Sequence, residues 1–236
     1  MKKIYFLFLL LASFGFNISA EAQNLQVHYD FGHNGNKFKD RESLTTTLEM
    51  FRPDKWGNTF FFVDMNYKSD EINLAYWEIA REFNIRKTPF NVHLEYNGGI
   101  SKDFPIKDAY LAGLTYAWNA PDFSKGFTIT PMYKHLTKTK NKASWQITST
   151  WYWNFEKGLF TFSGFADCWN DRSFATGNAI NVFLSEPQFW VNFNHMSGMD
   201  KNFNLSLGGE VEISRNFVHQ DNTFYFIPTL GAKWTF

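Results

Sequence analysis

Between Phe90 and Asn97 the side chains alternate without a break. Phe90, Val92, Leu94 and Tyr96 share one parity, and Asn91, His93, Glu95 and Asn97 share the other. A period of two means a strand with one apolar and one polar face. The same pattern recurs along the chain. Leu25, Val27, Tyr29 and Phe31 oppose Gln26, His28 and Asp30. Phe61, Val63, Met65 and Tyr67 oppose Phe60, Phe62, Asp64 and Asn66. Trp145, Ile147, Trp151, Trp153 and Phe155 oppose Gln146, Thr148, Thr150 and Tyr152. In the stretch that ends at Phe236, Leu230, Ala232, Trp234 and Phe236 oppose Thr229, Gly231, Lys233 and Thr235.

Counted in this way the chain holds about twelve strands, at 23–32, 43–52, 59–67, 73–83, 89–97, 109–119, 127–135, 144–155, 159–168, 178–194, 203–214 and 224–236. Two positions sit awkwardly. Arg81 falls on the apolar parity near a strand end, where it can snorkel to headgroups. Pro131 lies inside a strand although proline has no N–H for the ladder. The tenth strand is long and broken in character by Glu186-Pro187. Loops are expected at 98–108, 169–177 and 215–223, and tight turns at 53–58 and at Glu156-Lys157-Gly158. No repeat of 20–50 residues and no linker interrupts the pattern.

An even number of alternating strands closes into an all-β, up-and-down antiparallel barrel that crosses a membrane. Composition points the same way. Aromatics make up 20% of the chain, with 28 Phe and 9 Trp, as expected for girdles at two membrane interfaces. Mean hydropathy is nonetheless only −0.35, which suits strands that are apolar on one face. A soluble β fold would bury the same parity inward, so alternation alone does not separate the two. The ends of the chain help. Lys2 and Lys3 precede the apolar run Ile4 to Phe16, the shape of a secretory signal peptide. Ala20-Glu21-Ala22 offers cleavage before Gln23, with cleavage after Ala20 as the alternative. The expected organisation is therefore a signal peptide at 1–22 and one barrel domain at 23–236, placed in the outer membrane of a Gram-negative bacterium. A terminal aromatic such as Phe236 looks like the insertion signal of such barrels.

The 23 basic and 23 acidic residues balance, and the first 22 residues barely alter this, so nucleic acid is not an expected partner. The single cysteine, Cys168, excludes an intramolecular disulfide and suits a small wall residue. No G-x-S-x-G, H-E-x-x-H or Walker sequence is present, and the histidines lack metal-ligand spacing. Neither catalysis nor a cofactor is expected. His93 and Glu95 share a face, but no third residue completes a triad.

At its third and fourth strands the chain resembles the Tsx-like nucleoside-specific channel-forming outer-membrane proteins. The segments are FFVDMNY, Phe61–Tyr67, and YWEIAREFNI, Tyr76–Ile85. In the second, Glu78, Ile79, Arg81, Phe83 and Ile85 match that family's E-I-x-x-R-F-S-I stretch, with Glu82 as the departure. The resemblance implies a channel for passive diffusion of small polar solutes, nucleosides first, acting as a monomer in outer-membrane lipid. The expected pore-lining set is Phe60, Phe62, Asp64, Glu78, His93, Glu95, Tyr152, Trp190 and Glu210, all on polar parities. Asp64 and Glu78 are expected to pair with Lys134 or Lys233. The other expectations are a barrel without an open pore, whose interior polar groups serve stability alone, and, third, a lipid-modifying enzyme.

Overall fold

A computed structural model describes residues 23–35, 37–173 and 175–236. The signal peptide expected at 1–22 lies outside them. Thirteen strand segments form one antiparallel sheet: β1 Gln23–Asp30, β2 Leu44–Asp54, β3 Gly57–Lys68, β4 Glu71–Asn84, β5 Phe90–Ser101, β6 Ala109–Asn119, β7 Lys125–Leu136, β8 Ala143–Phe155, β9 Phe160–Arg172, β10 Ala179–Ser185, β11 Gln188–Asn192, β12 Leu205–Arg215 and β13 Phe224–Thr235. Each pairs with the next in sequence, except that β10 and β11 both lie between β9 and β12. These two segments are halves of one strand, so the barrel has twelve staves. It closes where β1 meets β13, in the register Leu25↔Trp234 and Val27↔Ala232. Closure leaves no edge with unpaired N–H and C=O groups, the condition for a sheet in lipid.

The alternation sets which side faces out. Phe90, Val92 and Leu94 are exposed, while His93 and Asn97 on the opposite parity are buried. The exposed face continues through Ile129, Trp153, Leu207 and Leu230. On such a face Leu94→Arg would cost about 2–4 kcal/mol near the bilayer midplane. Cys168 is paired with Ile147 and Phe183 on this outward wall.

Both prolines break ladder bonds without shifting the register. Opposite Pro131 the β6–β7 pairs lapse after Gly113↔Met132 and resume at Tyr116↔Ile129. At Glu186-Pro187 the stave splits, and the pairs Ser185↔Ala166 and Gln188↔Ser163 keep one alignment. Arg81 lies outward, as its parity requires, and its fork holds Asp54 at 2.7 and 2.9 Å and Thr59 at 3.0 Å. The turn at 156–158 has three consecutive positive φ angles, 49°, 58° and 90°.

Several loops are shorter than the sequence pattern suggests. Gly98 to Ser101 belong to β5 and Trp169 to Arg172 belong to β9, because ladder bonds persist, for Asn170 to Arg172 with β10, after the apolar alternation fades. The tight turn expected at 53–58 shrinks to 55–56 for the same reason. The stave ends at Gln23 and Phe236 lie at one end of the barrel. The opposite end carries the connections 31–43, 102–108, 137–142, 173–178 and 216–223 and the tight turn at 69–70. In outer-membrane barrels the longer loops face outward.

Candidate functional site, the barrel lumen

All nine residues expected to line a pore lie on the inward parity, but they form separate groups. On β3 and β4 the rings of Phe60 and Phe62 lie 6.0 Å apart, and Phe62 lies 6.1 Å from Tyr76. Two carboxylates flank this run of rings. Asp64 accepts from the Thr47 hydroxyl at 2.5 Å, and Glu78 accepts from the Tyr76 hydroxyl at 2.7 Å. Residues two apart on one strand project to the same face, which is why the pattern FFFVD aligns rings and acid in one row.

His93 sits between two acids. Its Nε2 lies 2.9 Å from Glu95 and its Nδ1 lies 3.2 Å from Glu82. Glu82 also accepts from Thr115 at 2.6 Å, Asn91 at 3.0 Å and Asn58 at 3.2 Å. This network ties β3 to β6 from inside. It accounts for the shared face of His93 and Glu95.

Trp190 has no accessible surface. Its indole packs over Gly208 and Gly231, where any added Cβ would meet the ring at 2.9 and 3.2 Å. His28 meets it edge-on at 5.6 Å, the Lys233 ammonium lies 4.3 Å from its centroid, and its N–H donates to Gln188 at 3.0 Å. Gln188 in turn donates to Glu210 at 2.9 Å. A chain of hydrogen bonds runs from His28 through Gln26 and Asn24 to Glu49, each bond 2.9 Å. Trp190 and its partners therefore fill the lumen beside β1, β12 and β13.

The ion pairs expected for Asp64 and Glu78 do not form among the described residues. Lys134 donates to Gln146 at 2.7 Å and lies 5.0 Å from the Trp169 centroid, and Lys233 covers Trp190 instead. Trp169, expected in a loop, is an inward strand residue opposite Gln146. The longer lateral reach of both lysines brings them to rings, which offer a cation an attractive face.

Two loops cover the end of the lumen away from Gln23 and Phe236. Arg41, in the 31–43 connection, reaches Asp30 and Glu212, each at 2.9 Å. Phe38 from the same loop stacks on His219 at 5.5 Å and meets Tyr225 edge-on at 5.2 Å. Burial works against the Arg41 charge, but Glu212 and Asp30 outweigh it and hold the guanidinium pKa above its ordinary value. In the 102–108 connection Ile106 packs against Gly99, and Lys107 lies 3.5 Å from Asp171 on β9. At the end that carries Gln23 and Phe236 a cavity of about 850 Å³ is lined by Asn154, Thr161, Asn192, Ser206, Lys233 and Thr235, among others. Tyr152 stands near it, donating to Asn119 at 2.8 Å.

The residues that sequence reasoning missed are Arg41 and Lys107. Both lie in loops, where no periodicity assigns a direction. Among the described residues no group of His, Cys, Asp or Glu is placed to hold a metal ion.

Comparison with known proteins agrees on the architecture. The structure is similar to the NanC porin, with a TM-score of 0.55 and 13% identity over 91% of this chain and 100% of that one. It is also similar to the KdgM porin, with a TM-score of 0.50 and 9% identity over 91% of this chain and 99% of that one. No curated protein sequence matches the chain. The family model that matches is not the Tsx-like one which the segments 61–67 and 76–85 resemble. It spans residues 22–236, and the chain belongs to the family described as DUF5020, a domain of unknown function.

Proposed function

We propose that this protein is a monomeric outer-membrane channel for passive diffusion of small polar solutes, nucleosides among them. The row of Phe60, Phe62 and Tyr76 with Asp64 and Glu78 carries the reading. Rings stack on any base, a contact worth about 1–3 kcal/mol per base in nucleic-acid binders. Carboxylates beside them accept from sugar hydroxyls. The likeness to porin structures supports a barrel set in the outer membrane of a Gram-negative bacterium.

The test is single-channel recording of the refolded protein with adenosine and thymidine. Phe62→Ala is expected to weaken current block, and Asp64→Asn to lower cation preference. No block of the wild type would remove nucleosides from the reading. A second reading, a ligand-binding or structural barrel without an open pore, is favoured by Trp190, whose own ring fills the lumen and has no accessible surface. Absence of any conductance from correctly folded protein would select it.

A further inference from the structure

The lumen beside β4, β5 and β9 gathers several acids, of which Glu95 is held through Oε2 by His93 at 2.9 Å. Glu78, Glu95 and Asp167 all lie within electrostatic range of one ammonium, that of Lys134. That ammonium is already engaged with Gln146 and Trp169. Among the described residues, three buried oxygens there have no hydrogen-bond partner: Glu95 Oε1, Asn97 Oδ1 and Asp167 Oδ1. Asn97 is 3% exposed and lies opposite Glu78, and the Glu95 side chain is 7% exposed. Asn97 is uncharged, so its empty acceptor is not a consequence of acid clustering. Buried acceptors are almost always satisfied, and each of these three oxygens lacks a donor among the described residues.

We propose that Glu95, Asn97 and Asp167 form a binding site for a small organic cation bearing an ammonium or guanidinium group. The inference goes beyond the channel reading and needs only that the lumen admit a solute. All three open atoms are acceptors, so the ligand must donate. The acids are not gathered around one point as metal ligands are. A ligand with several N–H donors spans separated acceptors, which a bare ion does not. The wall between β5 and Lys134 is apolar, with Leu111 and Met132 facing inward. Such a wall suits the methylenes of an alkyl amine.

The probe is agmatine, titrated calorimetrically into the refolded full-length barrel in detergent micelles. Saturable binding is expected, weakened at least about tenfold by Glu95→Gln or by Asp167→Asn, the usual scale for a hydrogen bond to a charged group. Asp167→Asn removes charge repulsion, whereas Glu95→Gln also gives up the ion pair with His93, and heat-modifiable gel migration checks that both fold. In the wild type alone, tetramethylammonium, which has charge but no N–H, is expected not to compete. Equal competition by tetramethylammonium, unchanged affinity in both variants, or no agmatine binding would each overturn the site. Binding without ion conductance would keep the site and remove the channel reading, and conductance without binding would do the reverse.

Discussion

Replacing Arg41 by alanine is expected to loosen the cover over the lumen. The guanidinium donates through Nε to Asp30 at 3.0 Å and through Nη2 to Glu212 at 2.9 Å. It is 28% exposed, and its partners are 7% and 8% exposed. Removing one partner of a buried ion pair costs about 3–5 kcal/mol, because the other charge is left without compensation. Here two carboxylates lose one cation, but water reaches part of the guanidinium, so the lower end, about 3 kcal/mol, applies. At 1.4 kcal/mol per decade that shifts loop opening by about a hundredfold. What remains is modest. The two ring contacts of Phe38 are worth about 0.5–1.5 kcal/mol each beyond their area. A hydrogen bond from Gly32 N–H to Asp30 at 2.6 Å also stays.

Two measurements read this. Amide exchange in residues 31–43 should speed up in Arg41→Ala, and single-channel conductance should rise or flicker. Arg41→Lys should fall between, since lysine keeps the charge but not the planar fork. Adding Asp30→Asn and Glu212→Gln to Arg41→Ala should recover part of the loss, because the orphaned charges then vanish. Exchange and conductance equal to wild type in Arg41→Ala would refute the reasoning and leave the cover held by packing alone.

Three further outcomes follow from the geometry. Trp190→Ala should cost about 3–5 kcal/mol, the range for a fully buried large ring, and should raise conductance; urea unfolding in detergent and planar-bilayer recording check the two effects. Cysteine at Val92 should react with a lipid-soluble reagent and cysteine at Thr161, in the cavity, with a water-soluble one; reversed labelling would turn the barrel inside out. Asp221 has a carboxyl pKa below the ordinary value, first through the Tyr225 hydroxyl and then through the Thr223 N–H. A lowered folded pKa stabilises above the unfolded value and is lost as pH falls through the folded one, so acid should release loop 216–223 to protease, and Asp221→Asn should do so at neutral pH.

Most of the barrel was legible because a strand with one lipid face and one lumen face writes its geometry every second residue. Phe90 to Asn97 shows this best, and β6 begins and ends at the residues that the pattern marks. Even the break in the tenth stave was visible, since Pro187 lacks the N–H which a continuous ladder needs. The pattern failed where one face lost its apolar character before the ladder ended. Gly98 to Ser101 pair with β4 through backbone groups alone, and glycine side chains carry no parity. Asn170 to Arg172 extend β9 as polar residues on both faces, so alternation had nothing to report.

Inward direction was legible too, but inward partners were not. Parity put Asp64, Glu78, Lys134 and Lys233 inside, and charge alone suggested that they would pair. The choice between an acid and a ring depends on what stands across the lumen, which sequence spacing does not encode. Trp190 shows the point. It is inward by parity and therefore resembled a ring on a solute path. Its role is fixed instead by Gly208 and Gly231, residues paired with each other on β12 and β13. Their missing side chains leave the space that the indole fills. Arg41 is the extreme case: its two carboxylate partners are 11 and 171 positions away. Asp30 ends the first stave and Glu212 sits near the end of β12, so only barrel closure, β1 against β13, brings the two acids to one loop. The cover over the lumen is thus a consequence of closure, and it could be read only after the last strand was placed beside the first.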